Sequence, residues 1–312
     1  MATIALSGSR ERVGVAYGLG ASLIWGGYIA VTYHGASAGL MAADLAFLRY
    51  TIAGLLLLPW LLRHQPLQLV GIGWKRGIVL ALLAGPPFVL VGASGFLFAP
   101  LAHSAVIQLG AVTLAGIVLS ALVAGERQGR RRVTALVVII AGLAITAGPG
   151  LVGGGSQAWK GDLLFFAAGT MWALFTVLQR RWQVPALAAT TAVSVLSGLV
   201  YFPIYLAWRG FSGLAAVDPI YLLGQGIMLG VLSGVVALFA FGRTVEYLGP
   251  GRASLFPALA PGFAILIGIP LSGVMPTTWQ IAGLFVLSSG LLLAIRAPAH
   301  VERDRSRAGA RP

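Results

Sequence analysis

The two halves of this chain repeat one another along their length. Residues 14–33 read GVAYGLGASLIWGGYIAVTY and residues 161–180 read GDLLFFAAGTMWALFTVLQR, so that aligning their first glycines also aligns their tryptophans. The matched pairs are Gly14 with Gly161, Trp25 with Trp172, Gly54 with Gly198, and Gly142 with Gly290. A unit of about 145 residues is therefore written twice, and this repeat constrains the fold more than any single motif.

The composition places this repeated unit in lipid. Hydrophobic residues make up 58% of the chain, charged residues only 9%, and the mean hydropathy is +0.91. Because a soluble domain carries about 25% charged residues, this chain has too few to cover a surface in water. The net charge of +13 would suggest nucleic acid as a partner, but the basic residues lie in the gaps between apolar runs. We therefore predict membrane lipid as the surroundings and no nucleic-acid partner.

Ten apolar runs are long enough to cross a membrane, which requires about 20 residues. They cover residues 13–33, 43–62, 76–94, 101–124, 133–149, 161–181, 187–208, 221–243, 250–273 and 279–296. Continuous runs of this kind predict helices, because a segment in lipid must satisfy its own backbone hydrogen bonds. Each unit has five spans, and this odd number makes the second unit enter the membrane from the opposite side. The predicted fold is an all-α integral membrane protein of two inverted five-helix repeats, an architecture common in secondary transporters.

The distribution of basic residues predicts the orientation. If the N-terminus lies in the cytoplasm, all but three of the 21 Lys and Arg residues fall on cytoplasmic segments. The exceptions are Lys160 and Arg209 in outer segments, and Arg49 near the outer end of the second span. Such an excess predicts that both termini are cytoplasmic. The corresponding division is a first repeat at 13–149, an outer linker at 150–160, a second repeat at 161–297 and a basic cytoplasmic tail at 298–312.

An aromatic and polar stripe recurs at the same place in both repeats. In the first span, Trp25 and Tyr28 are three residues apart and share a helix face. The corresponding face of the sixth span carries Trp172, Phe175, Thr176 and Gln179. Helix packing and an aromatic belt at the membrane interface explain any one of these residues. The recurrence favours a second interpretation, in which the two stripes face each other across a central cavity.

Span four places polar residues in an apolar helix. A buried amide such as that of Gln108 needs partners or water, so Gln108 should face the protein interior. His103 lies near the outer end of the span, where a solvated helix end and a contact with substrate are both consistent with the sequence.

Prolines interrupt two of the predicted spans. Pro86 and Pro87 lie in the middle of the third span, and Pro257 and Pro261 lie in the ninth. Each removes a backbone donor, and such breaks are tolerated where the freed groups are buried in protein or line a cavity. They predict either simple kinks or hinges that bend between outward-open and inward-open states.

The sequence contains no catalytic or metal-binding pattern. Its four histidines are scattered without metal-ligand spacing, it has no cysteine, and no nucleophile has a base beside it. Acidic residues lie near the helix ends, so we predict no carboxylate at mid-membrane, where a proton relay would place one. We therefore predict neither an enzyme nor a bound metal or cofactor.

Short motifs stand at definite points of the two five-helix units. WGG occupies residues 25–27, LAFLRY with Arg49 opens the second span, and Gly125–Glu126 ends the fourth. In this order the motifs resemble the drug/metabolite transporter superfamily, EamA type, over residues 13–297. The second repeat departs from the pattern, because Val274 stands at the position that matches Glu126.

Within that superfamily the aromatic-rich chain is similar to bacterial aromatic amino-acid exporters. The resemblance implies an inner-membrane exporter with ten helices around a central cavity formed by helices 1, 3, 4, 6, 8 and 9. It places Trp25, Gln108 and Trp172 along that cavity, and these are residues that the helix-face argument also favours.

The predicted function is export of amino acids, aromatic and other neutral ones, across the bacterial inner membrane by alternating access. Candidate substrate-binding residues are Trp25, Tyr28, His103, Gln108, Trp172, Phe175, Thr176, Gln179, Phe239 and Phe256. Amide and hydroxyl groups would bind the amino and carboxylate groups without a fixed ion pair. A multidrug or other small-metabolite exporter of the same fold is the main alternative, followed by a membrane-embedded enzyme and a structural or sensor protein. Apart from the small-molecule substrate and lipid, we expect no obligate protein partner.

Overall fold

The computed structural model describes residues 2–36, 40–95, 97–99, 101–123, 129–152, 157–272 and 275–295. Within them the secondary structure consists of helices, with no β-strand. The α-helices are α1 Ala2–Ala36, α2 Ala42–Arg63, α3 Trp74–Ala84, α4 Pro86–Gly95, α5 Leu101–Val123, α6 Arg130–Ala147, α7 Ala158–Arg181, α8 Ala186–Trp208, α9 Ser212–Ala215, α10 Pro219–Gly226, α11 Leu238–Leu248, α12 Pro250–Ala253, α13 Ala260–Ser272 and α14 Thr278–Ile295. A π-helix at Ile227–Ala237 joins α10 to α11, and 3₁₀ turns cover Pro66–Gln68, Gly148–Leu151 and Phe256–Leu259. Glu126, Val274 and the predicted tail lie outside the described residues.

Seven helical segments of the described chain are long and apolar enough to cross a membrane. They are Arg10–Val31, Ala42–Arg63, Trp74–Gly95, Ala158–Arg181, Ala186–Trp208, Pro219–Leu248 and Pro250–Pro270. Three shorter apolar helices accompany them, at Val106–Leu122, Val133–Ala147 and Thr278–Leu293. Large apolar side chains such as Leu55 and Phe285 stay exposed on the outer faces, as expected for a surface in lipid. The all-helical class is confirmed, whereas the number of ten spans and the cytoplasmic termini remain predictions.

Helices of the first half pack mainly against helices of the second half. The main pairs are α2 with α8, α6 with α14, α5 with α7, and α1 with α13. In the predicted numbering of spans these pairs join 2 with 7, 5 with 10, 4 with 6, and 1 with 9. Exchanging the two repeats leaves this set of pairs unchanged, as expected for two repeats related by a two-fold axis.

The glycines that match between the repeats lie where these helices cross. A Cβ atom on Gly54 of α2 would be 2.9 Å from the carbonyl oxygen of Ser194 in α8, and one on Gly198 would be 2.7 Å from the carbonyl oxygen of Tyr50. Gly142 and Gly290 play the same part between α6 and α14, where added Cβ atoms would lie 2.5 and 2.9 Å from backbone nitrogens. Small residues let membrane helices approach backbone to backbone, which explains why these positions recur.

The third span is broken between α3 and α4, at the prolines that the sequence singles out. Gly85 separates the two helices, and Pro86 and Pro87 begin the second one. The hydroxyl of Tyr50, from α2, donates a hydrogen bond of 2.9 Å to the carbonyl oxygen of Ala84 at this break. A backbone group at the break is therefore satisfied by a neighbouring helix, as a break within a membrane requires.

The ninth span is broken in the same manner. It consists of α12, a 3₁₀ turn that contains Pro257, and α13, which contains Pro261 near its start. Ser22 of α1 donates to the carbonyl oxygen of Phe256 at 2.7 Å, and Thr113 of α5 donates to that of Ser254 at 3.3 Å. Both breaks are thus built into the packing, and bending at the four prolines remains a prediction.

Candidate functional site

Five aromatic side chains from four helices meet between the two repeats. This ring cluster consists of Trp25 on α1, Phe88 on α4, Trp172 and Phe175 on α7, and Phe241 on α11. The matched tryptophans touch each other directly, with ring centroids 5.3 Å apart and planes at 82°. Trp172 also lies 5.1 Å from Phe88 and 5.6 Å from Phe241. Edge-to-face and tilted contacts of this kind favour a rigid arrangement of aromatic rings.

Two polar groups lie beside the ring cluster. The indole nitrogen of Trp172 is buried and has no hydrogen-bond partner among the described residues. The side-chain amide of Gln108 lies against Gly92 of α4, where an added Cβ would be 3.3 Å from its oxygen. That Cβ would also lie 3.6 Å from Ala168, which is one helical turn before Trp172. An indole donor and an amide can therefore orient a ligand whose apolar part contacts the rings.

A cavity of about 430 Å³ opens near the end of α7, at the predicted cytoplasmic end of the molecule. Its lining consists of Gln179, Arg180, Gln183, Val184, Pro185, Arg243, Val245 and Glu246. Gln179 is 1% exposed and donates through Nε2 to the carbonyl oxygen of Gly242 at 3.5 Å, while its Oε1 has no partner in the described chain. Arg243 and Glu246, one turn apart on α11, form an ion pair of 2.5 Å at the rim. The cavity thus has a wall that is largely polar and charged.

At the predicted outer end, an ion pair with a buried carboxylate joins α2 to the residue that follows α8. The Asp44 carboxylate, 0% exposed, accepts hydrogen bonds from Arg209 Nε at 2.5 Å and Arg209 Nη2 at 3.0 Å. The hydroxyl of Tyr205 donates to the same carboxylate at 2.7 Å, as does the backbone nitrogen of Met41. The hydrogen bond to Asp44 raises the pKa of Arg209 above its usual value.

His103 finds its partner at the same end. Its Nδ1 lies 2.8 Å from Oδ1 of Asp162, which links the start of α5 to the start of α7. The His103 side chain is buried, and its Nε2 has no partner among the described residues. The structure therefore places His103 in a contact between the repeats rather than at a solvated helix end.

The remaining candidates are not members of the ring cluster. Tyr28 is half-buried on α1, and Thr176 is fully buried with its hydroxyl donating to the carbonyl oxygen of Ala173 at 2.7 Å. Phe239 packs edge-on against Tyr17, with ring centroids 6.3 Å apart, and makes no ring contact with the matched tryptophans within the described chain. Phe256 is fully buried against Gly18, where an added Cβ would lie 2.5 Å from its ring.

Sequence reasoning missed two members of the ring cluster. Phe241 lies two residues after Phe239, and residues two apart point to different faces of a helix, so only the register of the helix decides between them. Phe88 directly follows Pro86 and Pro87, and the break that these prolines produce was a signal that could have drawn attention to it.

No group of three or more His, Cys, Asp or Glu side chains in the described ranges is placed to hold a metal ion. The arrangement instead offers apolar rings, a few unpaired polar atoms and ion pairs near both predicted membrane faces. Such a combination can bind and release a small molecule without covalent chemistry.

Comparison with known proteins assigns both halves to one family. Residues 12–148 and 159–296 each match the EamA-like transporter family. An uncharacterised protein, PA1977 of Pseudomonas aeruginosa, is 27% identical over 239 residues, which cover 76% of this chain and 72% of that protein. An uncharacterised transporter, YyaM of Bacillus subtilis, is 25% identical over 151 residues, covering 47% of this chain and 49% of its own length.

A solved crystal structure has the same fold. It matches 91% of this chain and 98% of its own chain with a TM-score of 0.70 and 18% sequence identity. At this identity the likeness bears on the fold alone.

Proposed function

Because the chain belongs to the EamA-like transporter family of the drug/metabolite transporter superfamily, we propose that it exports amino acids, aromatic and other neutral ones. The family consists of transporters, so this chain is a multi-pass membrane protein that moves small molecules. The proposed location is the bacterial inner membrane. The proposed mechanism is alternating access, with the repeats 13–149 and 161–297 as the two moving units.

The ring cluster is the observation that carries the substrate assignment. Trp25 and Trp172 come from equivalent positions of the two repeats and touch at 5.3 Å, so any relative motion of the repeats changes this contact. The unpaired indole nitrogen of Trp172 and the amide of Gln108 lie beside the rings. An amino acid with an apolar side chain offers complementary chemistry, since its side chain can contact the rings while its polar end binds these two groups. Tyr28, Phe175, Thr176 and Gln179 complete the proposed path toward the cytoplasmic cavity.

Alternating access requires that the two ends open in turn, and each end is held by an ion pair. Asp44 with Arg209 joins α2 to the end of α8 at the predicted outer end, and Glu11 with Arg252 joins α1 to α12 at the predicted cytoplasmic end. The broken third and ninth spans supply the proposed hinges at Pro86, Pro87, Pro257 and Pro261, because a break lets half a helix move without distorting the other half.

The test is uptake of labelled amino acids into proteoliposomes that contain the purified protein, with empty liposomes as the control. Saturable uptake of phenylalanine that unlabelled aromatic amino acids, methionine or threonine reduce is the expected result. Absence of uptake for the whole set, in protein with a cooperative melting transition, would refute the amino-acid assignment. Drugs and other metabolites would then be compared in the same vesicles, because the multidrug alternative differs only in substrate.

Gln108→Ala tests the proposed polar end of the site. We expect at least a tenfold loss of kcat/KM for transport, because a substrate group would lose its hydrogen-bond partner. Gln68→Ala, at an exposed loop position without a side-chain hydrogen bond, is the matched control and should transport normally. Normal transport kinetics in Gln108→Ala would remove Gln108 from the site.

A further inference from the structure

Arg49 is a buried cation that has no counter-charge among the described residues. It is the eighth residue of α2, so it lies about 10 Å along the helix from its first residue. Its side chain is 6% exposed, and its guanidinium carbon lies 5.5 Å from the ring centroid of the adjacent Tyr50. Its Nε is buried and unpaired, and within the part of the chain that the structure describes Arg49 has neither a hydrogen bond nor an ion pair.

Every carboxylate among the described residues is bonded elsewhere. Asp44, five residues before Arg49 on the same helix, binds Arg209 and Tyr205 instead. The other described acids bind as follows: Asp162 to His103, Glu246 to Arg243, Glu11 to Arg252, and Asp218 to the first backbone nitrogens of α10. The three remaining acids, Glu126, Glu302 and Asp304, lie outside the described residues.

An unpaired arginine is costly inside a membrane protein. Arginine stays protonated, and removing its charge from water without a partner is strongly unfavourable. The face of Tyr50 offers only partial compensation, because a cation–π contact is much weaker than a charge-assisted hydrogen bond. A position of this kind points to an anionic group that arrives with a ligand.

The segment that packs against Arg49 carries a second buried polar group without a partner in the described chain. α2 packs against the π-helix Ile227–Ala237, and a Cβ on Gly234 of that segment would lie 3.5 Å from Cγ of Arg49. Ser233, one residue earlier, is fully buried and its hydroxyl has no partner among the described residues. Segments of π-helix often occur at functional sites, since the extra residue per turn re-aims neighbouring groups.

We propose that Arg49 binds the carboxylate of the transported substrate, which deepens the proposed function and rests on it. The guanidinium forms two parallel N–H···O bonds with a carboxylate, a geometry that fixes the orientation of the ligand. Tyr50, whose ring Arg49 faces, belongs to the same buried apolar cluster as Trp25 and Trp172. In this arrangement the substrate carboxylate binds Arg49, its amino group binds the Gln108 amide, and its apolar side chain contacts the ring cluster. This replaces the sequence-based expectation of binding without an ion pair.

The test compares wild type with Arg49→Gln and Arg49→Lys, and with Arg63→Gln as the control, an exposed arginine on the same helix. Uptake of labelled phenylalanine is measured in proteoliposomes with phenylalanine, phenylpropionate, phenylalaninamide or phenethylamine as competitor. In wild type and Arg63→Gln the two carboxylates should compete about 10- to 100-fold better than the two compounds without one. That preference should disappear in Arg49→Gln. It should be reduced in Arg49→Lys, because lysine keeps the positive charge but cannot form two parallel hydrogen bonds with the carboxylate. Unchanged preference in Arg49→Gln would overturn the proposal while leaving amino-acid transport in place.

Thermal unfolding gives a second readout that does not depend on transport. Phenylpropionate should raise the melting midpoint of wild type and Arg63→Gln but not that of Arg49→Gln, whereas phenethylamine should raise none of them. If wild type transports no amino acid, this comparison of melting midpoints still shows whether Arg49 binds a carboxylate. Equal stabilisation of wild type and Arg49→Gln by phenylpropionate, or no stabilisation of wild type, would overturn the carboxylate site. Stabilisation by inorganic phosphate but not by phenylpropionate would also overturn it, and would indicate a phosphate group as the ligand. If Arg49→Gln does not fold, Arg49→Lys provides the same comparisons.

Discussion

A methyl group at Gly54 should push α2 and α8 apart. The Cβ of alanine there would lie 2.9 Å from the Ser194 carbonyl oxygen and 3.5 Å from the Cα of Gly198. Because a relaxed contact needs about 3.4 Å or more, α8 must retreat by roughly half an ångström along a tightly packed crossing. Overpacking of this kind costs about 1–3 kcal/mol.

Gly20→Ala is the matched control, because an added Cβ there has no atom within 4 Å. Both substitutions bring the same gain in helix propensity, up to roughly 1 kcal/mol. The difference between the stabilities of the two variants therefore reports the cost of overpacking at the helix crossing alone. Thermal unfolding in detergent, followed by circular dichroism, should place the midpoint of Gly54→Ala about 3–10 °C below that of Gly20→Ala.

The double variant Gly54→Ala/Gly198→Ala tests whether the two glycines share one helix contact. Both positions lie in one crossing, so once the first methyl has separated the helices the second should cost less than it does alone. Equal midpoints for Gly54→Ala and Gly20→Ala would refute the close approach. Strictly additive losses in the double variant would show that the two glycines do not share a contact.

Two further predictions concern the outer ion pair and the ring cluster. Asp44→Asn should lower the melting midpoint by about 5 °C, because it removes the charge that Arg209 and Tyr205 bind in a buried place; adding Arg209→Gln should recover part of that loss, and no recovery would argue against the pair. Trp172→Ala should cost about 3–5 kcal/mol of stability, since the side chain is 5% exposed and contacts four other rings. Trp208→Ala, at a site 71% exposed, should cost far less, and similar losses for both would contradict the burial of Trp172.

Much of the architecture was predictable because it depends on local pattern. Long apolar runs predict helices wherever they occur, and the all-helical class follows from them without knowledge of any contact. The recurrence of the aromatic stripe favoured an arrangement in which the two stripes face each other, and Trp25 and Trp172 do lie together. The close approach of Gly54 and Gly198 was not predicted. The family resemblance drawn from short motifs is confirmed by the match over both halves.

Other features depend on residues that the sequence keeps far apart. Asp44 and Arg209 are 165 positions apart, and His103 and Asp162 are 59 apart, so no periodicity connects them. Each pair forms because packing brings the ends of two helices to the same face of the molecule, where the two side chains come within contact distance. A prediction from helix ends could name the charged groups but not their pairing.

The sequence by itself determined the helical class, the two-fold repetition and the identity of the tryptophans that meet, because apolar runs and repeated glycines act through short-range geometry. Only the tertiary structure decided that Phe241 rather than Phe239 joins the ring cluster, since helix rotation is set by packing. It also decided that Arg49 is buried without a partner in the described part of the chain, because whether a charge is paired depends on every side chain that surrounds it.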